Sequence, residues 1–268
     1  MKRKYNEFRK AVYDHYARKG RRLPWRETDD PYRIFVSEIM LQQTQVSRAL
    51  KKYRLFIRAF PTAEALAKVP LRRVMGVWQG LGYNRRALAL KKAAEIIVSR
   101  HAGKIPSDRQ LLKALPGIGE ATSGAVCAFA FNQPVVFIET NIRSVYLHYF
   151  FPGSKDVRDE QLIPYLQATL DKDNPRRWYN ALMDYGVYLK ENNPNPSRKS
   201  SHYRKQGSFK GSDRQLRGRI LSYLLKERRL DERTLFRKAG LNLKRGRALL
   251  SSLCKEGLVS NRGGVYSI

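Results

Sequence analysis

The sequence predicts a mainly α protein, a helical body followed by a small C-terminal module of winged helix-turn-helix type. Gly and Pro residues divide the stretch from residue 30 to 120 into short amphipathic runs. Before residue 255 the one strand-like run is Pro134-Val135-Val136-Phe137-Ile138. After residue 212 the pattern becomes helix, short helix, helix and hairpin. A chain of 268 residues can bury a sizeable core and suits one to two domains with a small appended module.

Asp30-Pro31 opens a helix over 32–40, since Asp can cap free amides and Pro suits the first helical position. Thr44 is expected to cap the next helix, which runs towards Phe60-Pro61. Further helices are expected near 63–67, 72–78, 85–101 and 108–115, the last led by Ser107, with an Ala/Gly-rich helix from Glu120. Residues 191–212 read as a basic linker, rich in Asn and Pro, with Arg198, Lys199, Arg204, Lys205 and Lys210 and no acid between Glu191 and Asp213. Helices over 215–226, 232–239 and 243–256 then precede a hairpin turning at Gly263-Gly264, which defines a winged helix over 213–268. Its third helix offers Lys244, Arg245 and Arg247 to phosphates or a groove, the other reading being a protein-contacting module.

Fifty-three Lys and Arg against 23 Asp and Glu leave a net charge of +30. Such a field attracts polyanions, and nucleic acid is the commonest in a cell. No run of about 18 apolar residues exists to span a membrane. The start, Met1-Lys2-Arg3-Lys4-Tyr5-Asn6-Glu7, lacks the apolar stretch of a secretory signal. Cys127 and Cys254 are the only cysteines, too few for a cysteine-ligated cluster or a disulfide framework, and a cytoplasmic setting is expected.

Three blocks carry chemistry. Leu115-Pro116-Gly117-Ile118-Gly119 turns tightly between two helices, and amides opening the second helix make an anion site. About twenty residues on, Glu139-Thr140-Asn141 places a carboxylate just past an apolar run. The second block is Leu23-Pro24-Trp25-Arg26, then Asp30-Pro31-Tyr32, then Ser37-Glu38-Ile39-Met40-Leu41-Gln42-Gln43-Thr44. Glu38 in an otherwise apolar helix should have a raised pKa, which suits a general acid; a satisfied structural glutamate is the plainer alternative. Gln42 and Gln43 are polar yet flat enough to wedge into a base stack. The third block, Trp78-Gln79-Gly80-Leu81-Gly82-Tyr83-Asn84-Arg85-Arg86, joins a Gly turn, an aromatic ring and two cations. Tyr83 suits stacking on a base, or a place in the core.

Together these blocks, over about residues 5–190, resemble the helix-hairpin-helix base-excision DNA glycosylases, in the MutY-like adenine glycosylase branch. The resemblance implies a six-helix barrel with the hairpin over 28–137 and a second helical domain from 1–27 and 138–190. It implies a DNA glycosylase, with adenine opposite guanine or 8-oxoguanine as lead substrate. Another base, such as thymine or uracil opposite guanine, or a non-catalytic DNA-binding relative, are the alternatives. By resemblance, Glu38 protonates the departing base, and Glu139 stands where the family has an aspartate that stabilises the oxocarbenium ion. Asn141 is the polar residue beside it, and Arg26, Ala121 and Asn180 line the base pocket. Gln43 with Gln42 forms the wedge, Tyr83 lies by the opposite base, and Gly117, Gly119 and Thr122 present phosphate-binding amides. Backbone carbonyls of Lys113, Leu115 and Ile118 match those that hold Na+ or K+.

The resemblance has four departures. Glu139 is longer than the family aspartate by one methylene, about 1.5 Å. No cysteine follows Asp184 and Gly186 over 190–212, so no iron–sulfur cluster is expected. Ala121 and Asn180 alter the pocket, and Ala121 stands where bifunctional relatives carry a nucleophilic lysine, which predicts a monofunctional enzyme. A winged helix stands where the branch appends a Nudix-like domain. The expected partner is duplex DNA with a mispair or lesion, bound by a monomer, with no cofactor required.

Overall fold

The computed structural model describes residues 2–268. In chain order the helices are α1 (Lys2–Lys19), α2 (Pro31–Leu41), α3 (Val46–Ala59), α4 (Ala63–Lys68), α5 (Leu71–Trp78), α6 (Arg85–His101) and α7 (Arg109–Lys113). They continue as α8 (Glu120–Phe131), α9 (Thr140–Phe150), α10 (Asp159–Thr169), α11 (Pro175–Asn192), α12 (Asp213–Glu227), α13 (Glu232–Ala239) and α14 (Leu243–Lys255). Strands β1 (Arg229–Asp231), β2 (Ser260–Arg262) and β3 (Val265–Ser267) lie among the last helices. The chain forms two compact units: one comprises the residues up to 38, 106–114 and 118–205, the other 39–105, 115–117 and 206–268.

The first unit is built on aromatic packing. Phe8 and Val12, four apart on α1, are fully buried. The Phe8 ring meets Tyr146 of α9 at 5.3 Å and Trp178 of α11 at 5.8 Å. The Tyr146 hydroxyl pairs with Thr169 Oγ1 at 2.6 Å, so the buried phenol keeps a polar partner. Ala125, Ala128 and Phe129 of α8 join this same core. That is why α8 groups here, across the expected boundary at 137.

Within 191–212, residues 195–201 pack into the first unit. Pro196–Lys199 forms a 3-10 turn, with Pro196 and Ser197 buried. Ser197 Oγ pairs with Ser144 Oγ of α9 at 2.7 Å, and Lys199 donates to Phe151 O at 3.0 Å. Asn195 caps the turn through Ser197 N at 3.0 Å. The Ser and Asn side chains of this stretch, read from composition as part of a linker, here satisfy each other and α9. Residues 134–138 make no strand. Val135 O accepts from Tyr179 Oη at 2.8 Å and Val136 O from Arg109 Nη1 at 3.1 Å, so side chains take the place of a ladder.

In the second unit α3 and α5 pack through Phe56 and Trp78, whose rings meet edge-on at 5.9 Å. Gln45, not Thr44, is the N-cap of α3, because Thr44 Oγ1 accepts from Arg86 Nη2 at 2.8 Å. In the C-terminal module the strands run antiparallel in the order β1-β3-β2, with Tyr266 opposite both Leu230 and Asn261. β1 has no counterpart in the sequence expectations. The module is fastened within its unit: Arg72 donates to Leu224 O at 2.9 Å and to Leu225 O, satisfying carbonyls in the last turns of α12. Gln79 donates to Ser222 at 2.8 Å, and Glu256 accepts from Arg85 at 2.5 Å and from Arg217.

Candidate active site

Glu38 is set by a well-started helix. Asp30 Oδ1 accepts from Tyr32 N at 2.9 Å and Arg33 N at 3.3 Å, and Pro31 takes the first helical position. Phe35, Val36, Ile39 and Met40 around Glu38 are buried. Burial pushes the Glu38 carboxyl up to about 8, the Glu139 charge adds to this, and Arg26 opposes it. At neutral pH Glu38 therefore holds its proton.

Glu139 is the N-cap of α9. Its Oε1 accepts from Asn141 N at 2.7 Å and Ile142 N at 2.8 Å, and its Oε2 from Asn141 Nδ2 at 3.2 Å. Burial raises its pKa, opposed by the Ile142 and Asn141 amides, Lys190 and Arg143. The Glu139 charge is one of the causes that raise Glu38, since two nearby acids disfavour each other's ionisation. Glu38 is thus the proton donor of the pair, and Glu139 the acid that backbone amides hold.

Sequence reasoning missed Lys190 as part of this site. On α11, its Nζ donates to Asn141 Oδ1 at 2.8 Å, a partner 49 residues away that no local pattern signals. Gly186, one turn earlier, allows the approach, since a Cβ there would lie 2.5 Å from Asn141 O. Arg26 is held rather than free: its Nη1 and Nη2 each donate to Asp184 at 2.9 Å, and Arg21 binds the same carboxylate. Asn180 is buried on α11, and Ala121 is half-buried in the first turn of α8.

Gly119 is the N-cap of α8, with Thr122 in the first turn. The preceding helix is capped not by Ser107 but by Asp108, which accepts from Gln110 N and Leu111 N at 2.8 and 2.9 Å. Lys113 and Ile118 fall in the first unit, with Leu115 in the second.

The second unit carries the remaining residues. Gly117 has φ +80, and a Cβ there would lie 2.8 Å from Ala89 Cβ, so the hairpin turn admits only glycine without strain. Gln42 donates to Gly117 O at 3.1 Å, and Gln43 is exposed with φ 52. Arg86 organises this region, a role the sequence reading of two cations did not contain. It is 9% exposed and donates to the carbonyls of Ile39, Met40 and Gln42 at 2.9, 2.8 and 2.5 Å, capping α2. Its guanidinium lies over the Trp78 and Tyr83 rings at 5.4 and 5.3 Å. The Tyr83 hydroxyl also accepts from Gln206 and, at 3.2 Å, from Arg214. In α14, Arg245 is bound to Asp213 and Arg247 to Glu232, while Lys244 is exposed.

A helical body with a glycine-turned hairpin and a pair of buried acids is shared with known proteins. The family model of the HhH-GPD superfamily base excision DNA repair protein matches residues 36–163. The adenine DNA glycosylase of Buchnera aphidicola subsp. Baizongia pistaciae is 35% identical over 181 residues, 66% of this chain and 50% of that protein. The thymine/uracil-DNA glycosylase of Pyrobaculum aerophilum is 33% identical over 174 residues, 63% of this chain and 76% of that protein. The solved structure of a thermostable thymine-DNA glycosylase superposes with a TM-score of 0.62 at 25% identity, covering 69% of this chain and 87% of that one. The chain belongs to the HhH-GPD superfamily of base excision DNA repair proteins. It spans about half the length of the adenine DNA glycosylases it matches.

Proposed function

We propose that the chain is a monofunctional DNA glycosylase that flips a base from duplex DNA and hydrolyses its N-glycosidic bond. Adenine opposite guanine or 8-oxoguanine is the lead substrate. The observation that carries this reading is the pair of buried acids, Glu38, protonated at neutral pH, and Glu139, whose Oε1 accepts from two backbone amides that favour its charged form. As the bond from C1′ to the base nitrogen breaks, its electron pair leaves with the base and Glu38 supplies the proton. Glu139 stabilises the developing cation, and water adds its oxygen to C1′ and gives up a proton to the Glu38 carboxylate, which restores the acid. Ala121 has no amine to attack the sugar, so strand scission by elimination is not expected.

The hairpin amides before α8 and the net charge of +30 suit phosphate binding. Gln43, exposed in a left-handed turn, suits the wedge. Lys244 is the better candidate of the three α14 cations for phosphate, since Arg245 and Arg247 are committed to carboxylates. The residues do not fit an iron–sulfur cluster: Cys127 is buried with its thiol on Ser107 O, and Cys254 belongs to the other unit. The carbonyls of Lys113, Leu115 and Ile118 are proposed to take Na+ or K+, and no step depends on it. We infer a monomer acting where the cell keeps its DNA, in the cytoplasm or nucleoid. No helix among the described residues is long and apolar enough to cross a membrane.

A second reading, thymine or uracil opposite guanine, is favoured by the Pyrobaculum relative, the greater part of whose length this chain matches. A panel of duplexes separates the readings. Each has one central mispair or lesion, incubated with the full chain and split with and without hot alkali. Product only after alkali, from adenine duplexes, is the expected result. Product from T·G or U·G alone moves the substrate to a pyrimidine. Tight binding with no product anywhere leaves a DNA-binding relative without chemistry.

A further inference from the structure

We propose that Lys190 is a positioning residue, acting through Asn141 to hold the Glu139 carboxylate charged and in place. This rests on the glycosylase reading above. A glutamate has one more rotatable bond than an aspartate, so a reactive carboxylate on it needs more restraint. Its Oε1 is fixed by the Asn141 and Ile142 amides at 2.7 and 2.8 Å. The other oxygen, Oε2, depends on Asn141 Nδ2 at 3.2 Å. A carboxamide has a donor end and an acceptor end, and its orientation follows from its neighbours. The Lys190 ammonium, a donor only, sits on Oδ1 at 2.8 Å and so turns the donor end towards Glu139. Without it the amide's orientation rests on its one bond to Glu139 Oε2 alone.

The charges around Glu139 single out Lys190. Arg143, one turn along α9, is spent on Asp159, with bonds of 2.7 and 2.6 Å. Arg26 is spent on Asp184, which also binds Arg21. Glu38, from α2, is an acid. Of the two cations that act on Glu139, Lys190 outweighs Arg143, whose own hydrogen bonds go to Asp159. Consistently, burial lowers the Lys190 pKa while Glu139 raises it. The close packing that Gly186 permits places Lys190 one turn further along the same face of α11.

The test compares Lys190→Met and Lys190→Arg in the full chain. Single-turnover base release is measured against pH on a duplex the unaltered protein cleaves, alongside DNA affinity and Tm. Lys190→Met should slow release by about tenfold to a hundredfold. It should also move the acid limb of the profile to higher pH and leave DNA affinity within a few-fold. Lys190→Arg should recover most of the rate. A lower Tm with an unaltered rate and acid limb would overturn the proposal and leave Lys190 a merely structural residue. Should Lys190→Met fail to fold, Lys190→Gln carries the same comparison. If the unaltered protein releases no base from any duplex, the glycosylase reading has failed, and Lys190 is judged by 13C NMR titration of the Glu139 carboxyl. A raised Glu139 pKa in Lys190→Met sustains the positioning role; an unchanged one ends it.

Discussion

A proton kept against its ordinary chemistry costs stability, and Glu38 is the clearest case. Its folded pKa, about 8, lies well above the ordinary glutamate range, near 4.5. The folded state therefore binds the proton more tightly than the unfolded chain, and stability falls as pH rises between these values. Glu38→Gln should then raise Tm at pH 8 by a few degrees while abolishing base release, with DNA affinity within a few-fold. Normal cleavage by this variant would remove Glu38 from the mechanism. For the unaltered protein the same two acids give a bell-shaped profile in single-turnover release. Its alkaline limb should lie near pH 8, where Glu38 loses its proton, and its acid limb above the usual glutamate range, because burial raises Glu139. Glu139→Gln should lose activity. Glu139→Asp should keep activity only if the shorter carboxylate still reaches the substrate.

Helices meet where side chains are absent, and Gly186 is such a place. A methyl group there would lie 2.5 Å from Asn141 O and 2.8 Å from Asn141 C, backbone atoms at the start of α9 that cannot swing aside. Gly186→Ala should destabilise the protein by roughly 1–3 kcal/mol, as overpacking does, and depress base release by displacing Asn141. Urea denaturation and single-turnover kinetics check the two parts. Much at this scale was legible in the sequence: Asp30-Pro31 does open α2, the glycines at 117 and 119 do turn the hairpin, and Gly263-Gly264 do join β2 to β3. What escaped depended on distant partners. Lys190 acquires its meaning from Asn141, and Arg86 from carbonyls more than forty residues earlier. β1 is only Arg-Leu-Asp, without a strand-forming side-chain pattern, and exists because β3 pairs with it. The segment 195–201 has the composition of a loop, yet its Ser and Asn side chains lock it onto α9.

For the whole molecule, charge also binds the fold together. Glu256 gathers Arg85, Arg217 and Ser252, joining the C-terminal module to α6. Burial raises its pKa, but these bonds outweigh burial and bring it down to about 2. Because the folded value lies below the ordinary glutamate value, near 4.5, the carboxylate's stabilisation is complete above that pH and is lost as pH falls towards 2. Glu256→Gln should thus lower stability by roughly 1–2 kcal/mol at pH 7, and the gap to the unaltered protein should close at strongly acid pH in thermal melts. The first unit has a different dependence, one of order in time. Arg21 and Arg26 find Asp184 across 163 and 158 residues, and Phe8 of α1 closes on Trp178. A ribosome making this chain releases α1 long before its partners exist. The nascent N-terminus must carry exposed aromatic rings until α11 emerges, while the α3–α6 helices, whose contacts are local, can already pack.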